Sequence, residues 1–87
     1  MTKRWQEDDG LHLDLHGLSP PEPMIKVLQE IEGGEYNHIV LHMDRDPIHL
    51  YEELAERGWR GQLVSHQVDE ISGDVAVIVE LSLDTKE

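Results

Sequence analysis

The stretch Leu11-His-Leu-Asp-Leu-His-Gly-Leu-Ser-Pro-Pro-Glu-Pro-Met24 decides the fold, because it passes from a strand pattern to helix-start punctuation within fourteen residues. Leu11, Leu13 and Leu15 alternate with His12, Asp14 and His16, the period-two signature of a strand with one buried and one open face. Gly17 breaks that strand. Pro20, Pro21 and Pro23 suit the first turn of a helix, where a missing N–H leaves no bond unmade. A helix is therefore expected from Pro20 or Pro21, with Ser19 as its cap. Met24, Ile25, Val27, Leu28 and Ile31 recur at helical spacing, and Gly33-Gly34 supplies the stop.

Outward from this stretch the pattern repeats. Tyr36 to Met43 reads as a second strand, with Ile39, Leu41 and Met43 on one face and Tyr36, His38, Val40 and His42 on the other. Asp44-Arg-Asp-Pro47 leads into a second helix, with Asp46 as N-cap and Pro47 at the first helical position. Ile48, Leu50, Tyr51, Leu54 and Ala55 supply its apolar contacts, and Gly58 ends it. Arg60 to Val68 and Val75 to Leu83 read as an antiparallel hairpin around Asp69-Glu-Ile-Ser-Gly-Asp74. Val75, Val77, Val79, Leu81 and Leu83 form the longest one-sided apolar row, which predicts a central position for the last strand. The order is βαβαββ. Right-handed crossovers place both helices on one face of a mixed four-stranded sheet, an α+β two-layer sandwich. Residues 1–10, polar apart from Trp5, are expected to be a flexible lead-in; 11–83 form a single domain, and 84–87 a flexible tail.

Composition narrows the function. The 87 residues suffice for one modest core. Nineteen acidic against seven basic side chains give a net charge of −12, which excludes nucleic acid as a default partner, since that requires a basic surface that releases counterions. Six histidines make the charge sensitive to pH, and protonating all of them would halve it. The absence of cysteine removes disulfides, zinc-thiolate sites and thiol catalysis together. No run approaches the ~18 apolar residues of a membrane span, and Met1 to Gly10 lacks the apolar core of a signal peptide. No membrane association and a cytoplasmic location are the expectation.

The Leu13 to Met24 segment, followed by a helix, a strand and Asp46-Pro47 opening a second helix, resembles the small bacterial sulfur carriers called TusA or SirA-like. Their motif runs aspartate, two variable residues, Gly-Leu, a variable residue, then Cys-Pro-x-Pro. Asp14, Gly17, Leu18, Pro21 and Pro23 fit it, and Pro20 stands where the persulfide-carrying cysteine would be. The chain is similar still more closely to a cysteine-free relative of that family, in which Gly-Leu-x-Pro-Pro-Glu is followed by Asp-Pro and Leu-Tyr. Gly17 to Glu22, Asp46-Pro47 and Leu50-Tyr51 match that pattern, and Gly58-Trp59 resembles its Gly-Trp. Arg45 and His49 depart from it, since relatives more often carry histidine before the Asp-Pro and proline after. The resemblance implies the two-layer fold over roughly Leu11 to Leu83, a motif loop at Gly17, Leu18, Ser19, Pro20, Pro21, Glu22, Pro23, Asp46 and Pro47, and no sulfur transfer.

The residues themselves support two functions. Sulfur carriage needs a thiolate, which neither proline nor serine replaces. Ser19 has only His16, three residues away across a turn, as a base, and reads as a helix cap; Gly33-Gly34 lies after a helix and lacks a phosphate-loop lysine. The first reading is therefore a non-enzymatic adaptor or ligand-binding domain with no resident cofactor, contacting a protein partner and existing as a monomer or weak homodimer. Its interaction surface is the open sheet face carrying His12, Asp14, His16, His38 and His42, with Tyr36, Val40, Val64 and Ile78 adding apolar area. The second is a transition-metal or haem module using His16, His42, Asp44, Asp46 and His49 at the carboxyl ends of neighbouring strands. His12 and His16 lie ~13 Å apart along a strand and cannot share one ion. Glu52, Glu53 and Glu56 beside Arg57 read as a solvated helix face, and Trp59 as packing.

Overall fold

The computed structural model describes residues 3–84. It contains β1 (Lys3–Glu7), β2 (Gly10–Asp14), α1 (Glu22–Gly33), β3 (His38–Met43), α2 (Ile48–Glu56), β4 (Trp59–Val68) and β5 (Val75–Leu83). The five strands form one mixed sheet in the order β1-β2-β3-β5-β4, with β2 and β3 parallel and every other pair antiparallel. The last strand is central, as its apolar row predicts.

One face of this sheet is the core. Leu11 and Leu13 of β2 align with Ile39 and Leu41 of β3, which align in turn with Leu81 and Val79 of β5. Val27 from α1, with Leu50 and Leu54 from α2, closes over the same cluster, which also takes in Leu15, Met43, Val77 and Trp59. Burying each such aliphatic side chain stabilises the fold by about 1.5–3 kcal/mol. Trp59 opens β4 immediately after Gly58, whose φ of +77° turns the chain out of α2.

The sheet has five strands where four are expected, because residues 3–7 are not a loose lead-in. They pair antiparallel with β2 through a two-residue Asp8-Asp9 turn, with Trp5 opposite His12 and Glu7 opposite Gly10. An edge strand that half-buries one large ring needs no apolar alternation, so β1 shows none. Arg4 projects toward the helix layer, where its guanidinium pairs with Glu30 of α1 at 2.7 Å and lies 5.5 Å from the centre of the Tyr36 ring. Gly10, at φ +123°, passes so close to β3 that a Cβ there would lie 2.3 Å from the His38 carbonyl oxygen. Met1 and Thr2 lie outside the described residues. At the other end Asp84 is tied down, its amide donating to the Gly58 carbonyl at 2.7 Å and its carboxylate accepting from Arg60; 85–87 lie outside the described residues.

The helix starts also differ from expectation in detail. α1 begins at Glu22 with Pro21 at the cap position and no side-chain cap. Two prolines separate Ser19 from the first turn, so its hydroxyl is too far back, and it is the Ser19 carbonyl that accepts the Glu22 N–H at 2.9 Å. Asp46 is likewise displaced: Pro47 occupies the cap position, and the Asp46 carboxylate instead accepts the Tyr51 hydroxyl at 2.9 Å. The Tyr51 ring lies against Gly61, where an added Cβ would sit 2.7 Å from two ring carbons.

Candidate functional site

The second face of the sheet carries no helix, and its side chains build upward from the strand registers. Trp5 lies across from His12, His12 from Val40, and Asp14 from His42. This brings three rings together. Trp5 stacks on His12 with centroids 5.2 Å apart, the His12 and His42 rings meet edge to edge with centroids 5.1 Å apart, and Trp5 tilts against His42 at 5.2 Å. His12 is consequently only 6% exposed, although it belongs to the open face. Val40 in the same row is only 3% exposed, so it is not part of an apolar docking surface. Tyr36 leaves that surface too, since it packs against the core beneath Arg4. Val64 stays exposed beside a register shift in the β4–β5 pairing, and Ile78 is half-buried.

A hydrogen-bonded line runs through the rings. His12 Nε2 lies 2.7 Å from Asp9 Oδ1, and His12 Nδ1 lies 2.8 Å from His42 Nε2. The ionised carboxylate can only accept, so His12 Nε2–H donates to Asp9, and one proton occupies the line between the two imidazoles. That hydrogen bond with His12 lowers the Asp9 pKa. Burial, reinforced by the neighbouring His12, lowers the pKa of His42. Glu7 completes the corner: it accepts the Trp5 indole N–H and stands 3.8 Å from His12 Nε2. The donor atoms of Glu7, Asp9 and His12 all lie within 4.8 Å of one another.

The other predicted site residues fall into separate places. His16 turns to Asp14, which accepts from its Nδ1 at 2.7 Å and from its backbone amide; the ring contact lowers the Asp14 pKa. Asp44 accepts the Gly17 amide at 3.3 Å and braces the loop after β2. His38 points along the open face with Nε2 buried and unpartnered, 3.7 Å from Glu80. His16 and Asp44 line a hollow of about 610 Å³ beneath the β4–β5 hairpin. Asp46 and His49 line a different, mainly apolar groove of about 360 Å³, together with Pro20, Pro21, Pro23 and Pro47 of the motif loop. Among the described residues, no group of three drawn from His16, His42, Asp44, Asp46 and His49 brings metal-ligating atoms within 4.8 Å.

Trp5, Glu7 and Asp9 are the site residues that the pattern does not reveal. The signal available was the Asp8-Asp9-Gly10 run directly before an alternating strand, a short hairpin turn preceded by a segment with one tryptophan. No helix is long and apolar enough to cross a membrane among the described residues. Comparison with protein families, characterised proteins and solved structures finds no match to this chain.

Proposed function

We propose that the chain is a non-enzymatic binding domain of the TusA-like fold that has lost the carrier cysteine and acts by protein contact through its open sheet face, at the corner formed by Trp5, His12 and His42. The resemblance in the motif loop supports the fold family, and Pro20 at the cysteine position leaves it without the sulfur chemistry. The observation that carries the reading is the hydrogen-bonded pair of buried His12 and half-buried His42 on a face no helix covers. A polar pair held there is no better for stability than an apolar one, and what it does is fix the groups around it, Trp5 and the exposed Glu7 and Asp9. Glu7, Asp9 and Glu80 make the presented surface anionic, while Trp5 offers an aromatic face; a basic, arginine-bearing segment of a partner protein complements both.

The test is amide and indole NMR of the full chain titrated with a short arginine-containing peptide of net positive charge. Shifts are expected at the Trp5 indole and at the backbone of Glu7 to His12 and His38 to His42, persisting at about 0.15 M salt, where purely long-range attraction is screened. Shifts confined to the proline-lined groove, or spread diffusely over Glu52, Glu53 and Glu56, would overturn the reading.

A further inference from the structure

We infer that Glu7, Asp9 and His12 form a binding site for a divalent transition-metal ion, with His42 as the outer-sphere residue that orients the His12 ring; this rests on the reading of the open-face corner as a binding site. The argument begins with one atom. Nε2 of His12 faces two carboxylates, at 2.7 Å from Asp9 and 3.8 Å from Glu7. A nitrogen lone pair aimed at two anions is repelled, so a positive centre must occupy that point, and only a proton or a metal ion can. The hydrogen that His12 shares with Asp9 is therefore in the position a metal would take.

The donor set is already close to the required spacing. Zinc-like ions hold imidazole nitrogen and carboxylate oxygen at about 2.0–2.2 Å, so tetrahedral ligands lie roughly 3.3 Å from one another. All three donor atoms sit within 4.8 Å, and the two that must adjust belong to exposed carboxylates, Glu7 turning from the Trp5 indole N–H and Asp9 giving up the hydrogen it accepts from His12. His12 need not move. It is buried, packed against both Trp5 and His42, and its Nδ1 is 2.8 Å from His42 Nε2. Metal at Nε2 requires the hydrogen on Nδ1, and His42 Nε2 is placed to accept it, the arrangement by which a second imidazole fixes the tautomer of a metal ligand.

The chemistry of the set selects the class of ion. One imidazole with two carboxylates suits a borderline divalent ion such as zinc, nickel or cobalt, with the fourth position open. Soft ions find no thiolate anywhere in the chain. A further nitrogen lies on the same face: His38 Nε2, the one buried side-chain nitrogen without a hydrogen-bond partner among the described residues, on the strand that flanks Gly10 opposite Glu7.

The experiment is calorimetric titration of the full chain with zinc, paired with cobalt absorption and imidazole NMR. The expected result is one ion per chain, with shifts at His12, His42 and the Trp5 indole and a visible cobalt spectrum of low coordination number. Asp9→Asn with Glu7→Gln, at exposed positions that leave the fold intact, should weaken zinc binding at least tenfold, and His42→Phe by about 10–100-fold as an outer-sphere loss. His16→Ala with His49→Ala should leave it unchanged. Absence of stoichiometric binding, or binding undiminished in the carboxylate double variant, overturns the inference. If zinc fails while the arginine peptide still shifts the same face, the metal site falls and the binding-face reading stands; if both fail, both fall.

Discussion

Nδ1 of His12 and Nε2 of His42 lie 2.8 Å apart across two parallel strands, although the register pairs His12 with Val40 and His42 with Asp14. The contact is thus diagonal, and both rings lean toward each other beneath Trp5. Removing one partner leaves a buried nitrogen unsatisfied. His42→Phe, which keeps a ring against Trp5, is expected to lower the unfolding free energy by about 1–3 kcal/mol, and the His12→Phe/His42→Phe double variant to recover most of it. Chemical denaturation of the four members of this cycle measures the coupling. Additive single losses would show that the two rings do not interact.

Acid should destabilise the metal-free protein in two stages. Burial lowers the His42 pKa below its ordinary 6.5, so the folded chain binds fewer protons than the unfolded one; stability is unaffected above that value and falls as pH drops through it. Asp14 is held below its ordinary 3.8 by His16, so its contribution persists at neutral pH and is lost only on further acidification through that range. Urea midpoints measured in chelator-treated buffer should begin to decline near pH 6.5, with a shallower first stage in His42→Phe. An unchanged slope in the variant would assign that stage to another group.

Gly10→Ala is expected to detach β1. The φ of +123° is closed to alanine, a strain of about 1–3 kcal/mol, and the new Cβ would also meet the His38 carbonyl at 2.3 Å. The measurable consequence is local: a red shift of Trp5 emission and faster amide exchange over β1 and β2, with β4 and β5 still protected. Uniform loss of protection would refute a local effect.

Tyr51 provides an alkaline counterpart. Burial and the hydrogen bond to Asp46 push its phenol up to about 12, which favours the neutral form in the fold. Stability contributed by this group is complete below pH 10 and is lost as pH rises toward 12. In a Tyr36→Phe background, ultraviolet titration should place the Tyr51 transition near 12, and Asp46→Asn should bring it down. A transition unmoved by Asp46→Asn would leave burial as the sole cause. Gly61→Ala beneath the same ring should cost about 1–3 kcal/mol by overpacking.

The parts of the fold legible in the sequence are those where one period dominates. Leu11, Leu13 and Leu15, then Ile39, Leu41 and Met43, then Val77, Val79 and Leu81 announce their strands because each buries a full row in the same core. β1 announces nothing, since Lys3-Arg-Trp-Gln-Glu7 only half-buries a single ring at a sheet edge. The site was half visible for the same reason. Alternation places His12 and His42 on the open face, but the choice of His12 over His16 as the partner of His42 depends on β1 folding over one end of β2. The caps expected at Ser19 and Asp46 do not form, because consecutive prolines and a competing tyrosine hydroxyl displace the usual bonds.

The attachment of β1 also sets where this domain may be cut. The alternating pattern invites a boundary at Leu11, and a chain shortened to that point would keep every residue of the apolar core. It would nevertheless surrender Trp5, Glu7 and Asp9, leaving His12 and His42 uncovered with no carboxylate beside Nε2. The apolar core and the Trp5–His12–His42 corner therefore have different minimal lengths in this protein, and a trimmed fragment that unfolds cooperatively would still lack the proposed binding face.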